Sequence, residues 1–210
     1  MLYNKTCSII FSGKKVVPMT GERQRKKTYD LALIAVSAAL ITICSWISIA
    51  IGPVPFTLQT MAIFAVLLTI GGVRGACAVG VYLLLGLAGA PVFSGFKGGP
   101  QSFLGPTGGF LVGFAIASVV WILVEKLIKP KLSGSVGKHI LYAVVNSVIF
   151  EIVMYAIGVV WFIVVYGAQT GPIGLDAVLT MCVVPFLIPD VVKIAVAIVI
   201  GGRAGKLIHK

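Results

Sequence analysis

Three ionisable residues stand where their surroundings are otherwise apolar: Glu151, Asp190 and Lys193 each fall inside a long hydrophobic run. A charge inside a membrane-spanning helix costs about 2.5–3.5 kcal/mol on insertion scales, so such residues pair with one another, contact a ligand or line a polar path. Asp190 and Lys193 are three positions apart, which on a helix places an acceptor and a donor on one face. That pair is either an internal salt bridge or the polar part of a binding site. Pro185 and Pro189 favour the second reading, because proline frees backbone groups that at membrane depth only protein or a water-filled cavity can satisfy. Glu151 has Asn146 five residues before it, and it either bonds to a neighbouring helix or belongs to the same site.

A second candidate is the stretch from Pro91 to Phe110, in which glycines and prolines alternate with phenylalanines. It is too apolar for an ordinary solvated loop. Glycines let backbone approach a ligand and aromatic rings cover its apolar parts, so residues 91–103 read as an outer lid loop. Lys97 is its one basic residue and could guide or bind an anion.

The elements that must position these residues are membrane helices. Apolar residues make up 59% of the 210 positions and charged residues 11%, against about 45–50% and about 25% in soluble domains. Apolar runs predict six spans: about Leu31 to Ile51, Leu58 to Gly72, Gly75 to Ala90, Phe103 to Val124, His139 to Val165 and Ala177 to Gly202. The second and third are short and meet at Gly71-Gly72-Val73-Arg74-Gly75, as a tight helical hairpin would. The expected fold class is therefore all-α integral membrane, with residues 1–27 a basic, mobile cytoplasmic leader and 28–210 the membrane domain.

Charge sets the orientation. Fifteen of the seventeen Lys and Arg residues fall in the leader or in the segments around Arg74, Lys126 to Lys138 and Arg203 to Lys210, and only Lys97 falls on the opposite side. By the positive-inside rule both termini are cytoplasmic. The same distribution accounts for the net charge of +11 without nucleic acid, since basic residues sit at the ends of apolar runs and form no stripe with interleaved aromatics.

Other chemistry is sparse. Cys7, Cys44, Cys77 and Cys182 lack metal-ligand or disulfide-framework spacing, and His139 and His209 lie at membrane borders, so neither a metal nor another cofactor is expected. Gly205-Lys206 lacks the first glycine and the Ser or Thr of a phosphate loop, so the chain is not expected to hydrolyse ATP. An intramembrane enzyme or a helix-packing assembly protein are the weaker alternatives.

Four segments in order resemble one family: Val54-Pro55-Phe56-Thr57-Leu58-Gln59-Thr60; Gly89-Ala90-Pro91-Val92-Phe93; Gly98-Gly99 with Leu104-Gly105-Pro106-Thr107-Gly108-Gly109-Phe110; and Ile188-Pro189-Asp190-Val191-Val192-Lys193. Together they look like the BioY family, the biotin-specific S components of energy-coupling factor (ECF) vitamin transporters, from about residue 28 to the end. The chain departs from the family pattern at Asp190, which follows Pro189 with no intervening glycine. Two further departures are Phe110 in place of a common tyrosine and Lys97 in place of an occasional arginine.

The resemblance implies a plasma-membrane subunit that captures biotin at the outer face and works with a transmembrane coupling protein and two ATPases. It assigns Ala35 and Ala39 to the coupling-protein interface. It also implies a ligand site drawn from Asp190, Lys193, Gln59, Lys97, Gly98, Gly99, Phe93, Thr107, Asn146 and Glu151. Biotin offers complements to these groups, with ureido N–H donors and a carbonyl, an apolar bicycle and an anionic tail. Another small vitamin is the alternative ligand, because fold alone does not set function.

Overall fold

The computed structural model describes residues 20–132 and 136–208. Met1 to Met19, which hold most of the expected leader, lie outside the described residues. The elements run α1 (Thr20–Trp46), β1 (Ser48–Ile51), β2 (Val54–Thr57), α2 (Gln59–Ile70), α3 (Gly72–Leu87), a 3-10 turn (Ser94–Phe96), α4 (Pro100–Leu104), α5 (Gly108–Leu132), α6 (Val136–Thr170), α7 (Leu175–Cys182) and α8 (Val184–Ile208). Because α1 already begins at Thr20, the last part of the expected leader is the helix's first turns.

Among the described residues four helical stretches are long and apolar enough to cross a membrane: Arg23–Trp46, Gly108–Ile128, Gly137–Thr170 and Leu175–Gly205. The two shorter apolar helices, Gln59–Ile70 and Gly72–Leu87, are the expected second and third spans. At about 1.5 Å per residue, neither reaches the roughly 30 Å of a hydrocarbon core by itself. α2 is instead the centre of the bundle, with ten of its twelve residues buried. An all-round apolar surface is what a helix enclosed by other helices requires.

Exposed apolar side chains clothe the outside, among them Val36, Leu40 and Ile43 on α1 and Ile188, Val191 and Val199 on α8. Inside, α5 pairs most extensively with α6, and α2 with α8. Small residues permit both contacts. A Cβ on Gly109 would stand 2.1 Å from the Trp161 side chain, and one on Gly201 would stand 2.6 Å from Leu68. The α2–α3 hairpin is as tight, since a Cβ on Gly75 would meet the Leu67 backbone at 2.9 Å.

Three expectations are corrected. In an otherwise helical fold the first span stops at Trp46 rather than Ile51, and Ser48–Ile51 pairs antiparallel with Val54–Thr57. Ile47, Ile49 and Ile51 favour extended backbone, while Pro53 and Pro55 deny a helix its N–H donors. The turn is closed by Gly52 at φ 72°. The fourth span starts at Gly108 rather than Phe103, because α4 ends at Leu104 and a turn over 105–107 precedes α5. The last span is broken at Val183, whose φ −122° and ψ −57° are not helical.

Candidate functional site

The lid is strapped down at both ends. At its start Ser45 donates to the Val92 carbonyl and Trp46 Nε1 donates to the Pro91 carbonyl at 2.8 Å. At its end Trp161 Nε1 donates to the Gly105 carbonyl at 3.1 Å. Between them the Phe93 N–H bonds the Lys97 carbonyl at 2.9 Å, and the Gly99 N–H bonds the Gly86 carbonyl of α3 at 2.7 Å. Phe93 turns inward and packs edge-on against Tyr82 and Phe103, with ring centres 5.4 and 5.6 Å away. Gly98 has no room for a side chain, since a Cβ would stand 2.2 Å from the Ala90 carbonyl oxygen.

Under this strap lies a cavity of about 640 Å³, lined by the hairpin (Val54, Thr57), the start of α2 (Gln59), the lid (Phe93, Lys97) and the start of α5 (Leu111). Its size falls in the range of small-molecule sites, about 300–1,000 Å³. Of the expected site residues it gathers Gln59, Phe93, Lys97, Gly98 and Thr107. The Gln59 amide nitrogen is buried and bonds to no protein group, so it is a donor held ready at the wall. Gly99 is not on that wall; its part is the bond to α3.

Asp190 and Lys193 form a separate buried cluster beside the cavity. Lys193 Nζ is 2.9 Å from Asp190 Oδ1 and 3.0 Å from Thr60 Oγ1. It also sits 4.3 Å from the centre of the Phe56 ring. Such a position over an aromatic face attracts a cation. Tyr155 donates its hydroxyl to Asp190 Oδ2, and Glu151 is within electrostatic reach of both charges. α8 supplies the pair, α2 and β2 cover it, and α6 closes it. Adjacent residues join the two parts: Gln59 lines the cavity while Thr60 bonds Lys193, and the Phe110 ring stands 6.4 Å from Tyr155.

The structure thus brings eight of the ten expected ligand residues into two adjoining groups. Asn146 is buried elsewhere, between α5 and α6, and Gly99 supports the strap. Ala35 and Ala39 lie on α1 outside the cavity. Sequence reasoning missed Tyr155, Thr60 and Phe56 as partners of the ion pair. A signal was available for all three, because Phe56 and Thr60 sit in the segment that contains Gln59, and Tyr155 follows Glu151 by one helical turn.

The BioY family model matches residues 17–210. The chain belongs to the BioY family. This BioY chain is 33% identical over 177 residues to the probable biotin transporter BioY of Pyrococcus horikoshii, covering 84% of the chain and 96% of that protein. It is 36% identical over 179 residues to the biotin transporter BioY of Thermotoga maritima, covering 85% and 96%. Its structure is similar to that of the S-component for biotin from an ECF-type ABC transporter, with a TM-score of 0.73, 30% identity and coverage of 90% of this chain and 95% of that one. This BioY fold is that of a multi-pass membrane protein of the transporter class, not of an enzyme.

Proposed function

We propose that this chain is the biotin-binding membrane subunit of an ECF-type uptake transporter. The observation that carries the reading is the strapped cavity with an unpaired Gln59 amide, set against the Asp190–Lys193 pair on a BioY scaffold. It supports capture of a small molecule with apolar rings and a few polar atoms.

In this reading Phe93 covers the bicycle, Gln59 and Thr107 bond ligand polar atoms, and Lys97 draws in the anionic tail from the open side. Gly98 brings lid backbone close to the ligand. Asp190 accepts from ureido N–H groups and Lys193 donates to a ligand oxygen, each exchanging one of its present partners, Tyr155 or Thr60, for the ligand. Glu151 offers a further carboxyl beside that pair. The ligand is enclosed by residues from α2, the lid and α5, so its release requires the strap or these helices to shift.

Six crossings of the cell membrane with both termini cytoplasmic are the topology that the placing of the basic residues in the sequence supports, and the Arg74–Asp30 pair at 3.0 Å, which sets the α2–α3 turn beside the start of α1, agrees with it. Short α2 and α3 cross together with the extended segments that flank them. Ala35 and Ala39 on α1 would allow close approach of the coupling protein, and two separate ATPases would drive the cycle.

Calorimetric titration of the detergent-solubilised protein tests this reading, with thiamine and riboflavin as controls. Saturable binding of biotin alone is expected. Binding of another vitamin instead, or of none by folded protein, rejects it.

A further inference from the structure

We propose that Trp121, Asn146 and Ser147 bind internal water at the α5–α6 contact, in the part of the bundle that carries the α2–α3 turn. Among the described residues seven buried side-chain N and O atoms bond to no protein group. Five of these belong to this contact or its next turn: Trp121 Nε1, both Asn146 amide atoms, Ser147 Oγ and Glu151 Oε1. Trp121 and Asn146 are 1% exposed and Ser147 is 0% exposed, so bulk solvent does not reach them.

Trp121 and Asn146 stand together beside Tyr142, and Ser147 follows Asn146 on the adjoining face of α6. Trp121 stacks edge-on against Phe150 of α6 at 6.3 Å. Tyr142, one turn before Asn146, interacts with Trp121, Asn146 and Glu125 alike. Glu125 in turn accepts the Gly72 N–H at 2.8 Å, at the start of α3. On the other side Ser147, Glu151 and Tyr155 succeed one another at one-turn intervals along α6, and Tyr155 bonds Asp190. Polar side chains therefore recur along α6 from the ion pair at Tyr155 to Tyr142, which reaches the α2–α3 turn through Glu125.

The chemistry selects the occupant. Trp121 can only donate, whereas Asn146 and Ser147 can each donate and accept. Beside the Tyr142 hydroxyl, which Trp121 and Asn146 share, water, which donates twice and accepts twice, is the small species that serves each of these groups, and buried water typically makes two to four such bonds. Glu125, the charged residue that Tyr142 reaches, is engaged by the Gly72 N–H.

The inference does not depend on which vitamin the cavity holds. Crystals of the full chain, grown in a lipid phase without vitamin, test it directly. Ordered density is expected within about 2.7–3.2 Å of the Asn146 amide and of Trp121 Nε1 or Ser147 Oγ. Absence of density there, while other buried waters are ordered, overturns the proposal, as does direct pairing of these side chains. Thermal unfolding of Asn146→Leu and of Ser147→Ala gives a second readout. A hydrated cluster loses a partner in each variant and unfolds at lower temperature. An unchanged or raised midpoint in both means the cluster is dry.

Discussion

Lys193 Nζ lies 2.9 Å from Asp190 Oδ1, with the two side chains only 6% and 4% exposed. The attraction between them is offset by the cost of removing both from water, so the pair adds little net stability, but removing one partner leaves the other unmatched. The pair therefore serves position and recognition more than stability.

Asp190→Asn and Lys193→Ala are each expected to lower unfolding stability by about 3–5 kcal/mol and to weaken biotin binding at least tenfold. The paired change Asp190→Leu with Lys193→Met restores most of the stability but not the binding. Denaturation in micelles and calorimetry separate the two effects. Binding within twofold of the parent in both single variants would sink the assigned roles.

Gln59 acts at the wall of the cavity without a protein partner, so Gln59→Leu removes a bond to the ligand and no internal one. Affinity is expected to fall by about 1–3 kcal/mol, that is roughly 5- to 150-fold, with the unfolding midpoint held or raised. A variant that binds normally would show that this amide points away from the ligand.

Gly86 faces Phe93 so closely that a Cβ would stand 2.0 Å from the ring. Gly86→Val drives Phe93 off α3 and loosens the strap. The expected result is a raised dissociation rate for biotin with α-helical content retained, measured by stopped-flow displacement and circular dichroism.

Topology is checked by cysteine labelling in intact cells, with the native cysteines replaced by alanine. Lys97→Cys is expected to react with an impermeant maleimide, and Arg74→Cys only after permeabilisation. The reverse pattern would invert the orientation, and labelling of both from outside would change the number of crossings.

Asp30 and Arg74 are each 37% exposed, so their ion pair is expected to contribute no more than about 1 kcal/mol. Arg74→Gln should shift the unfolding midpoint slightly at low salt and not at all at high salt.

Composition and charge placement were sufficient for the membrane class, for the short hairpin at Arg74 and for setting Asp190 and Lys193 on one helix face. Each follows from local rules: apolar length, the side on which basic residues fall, and the i, i+3 spacing of a helix. The order of the four motif segments carried the family. Other features rest on contacts between residues far apart in the chain, which no local pattern encodes. The Ser48–Thr57 hairpin needed a partner strand beyond Gly52, and Asn146 could not be told from a ligand residue until α5 was seen against it. The tertiary structure alone decided that Gln59 and Lys97 share a cavity while Asp190 and Lys193 sit behind it, held by Thr60 and Tyr155. Burial makes each of those polar groups find a partner, and which partner it finds depends on how the helices pack.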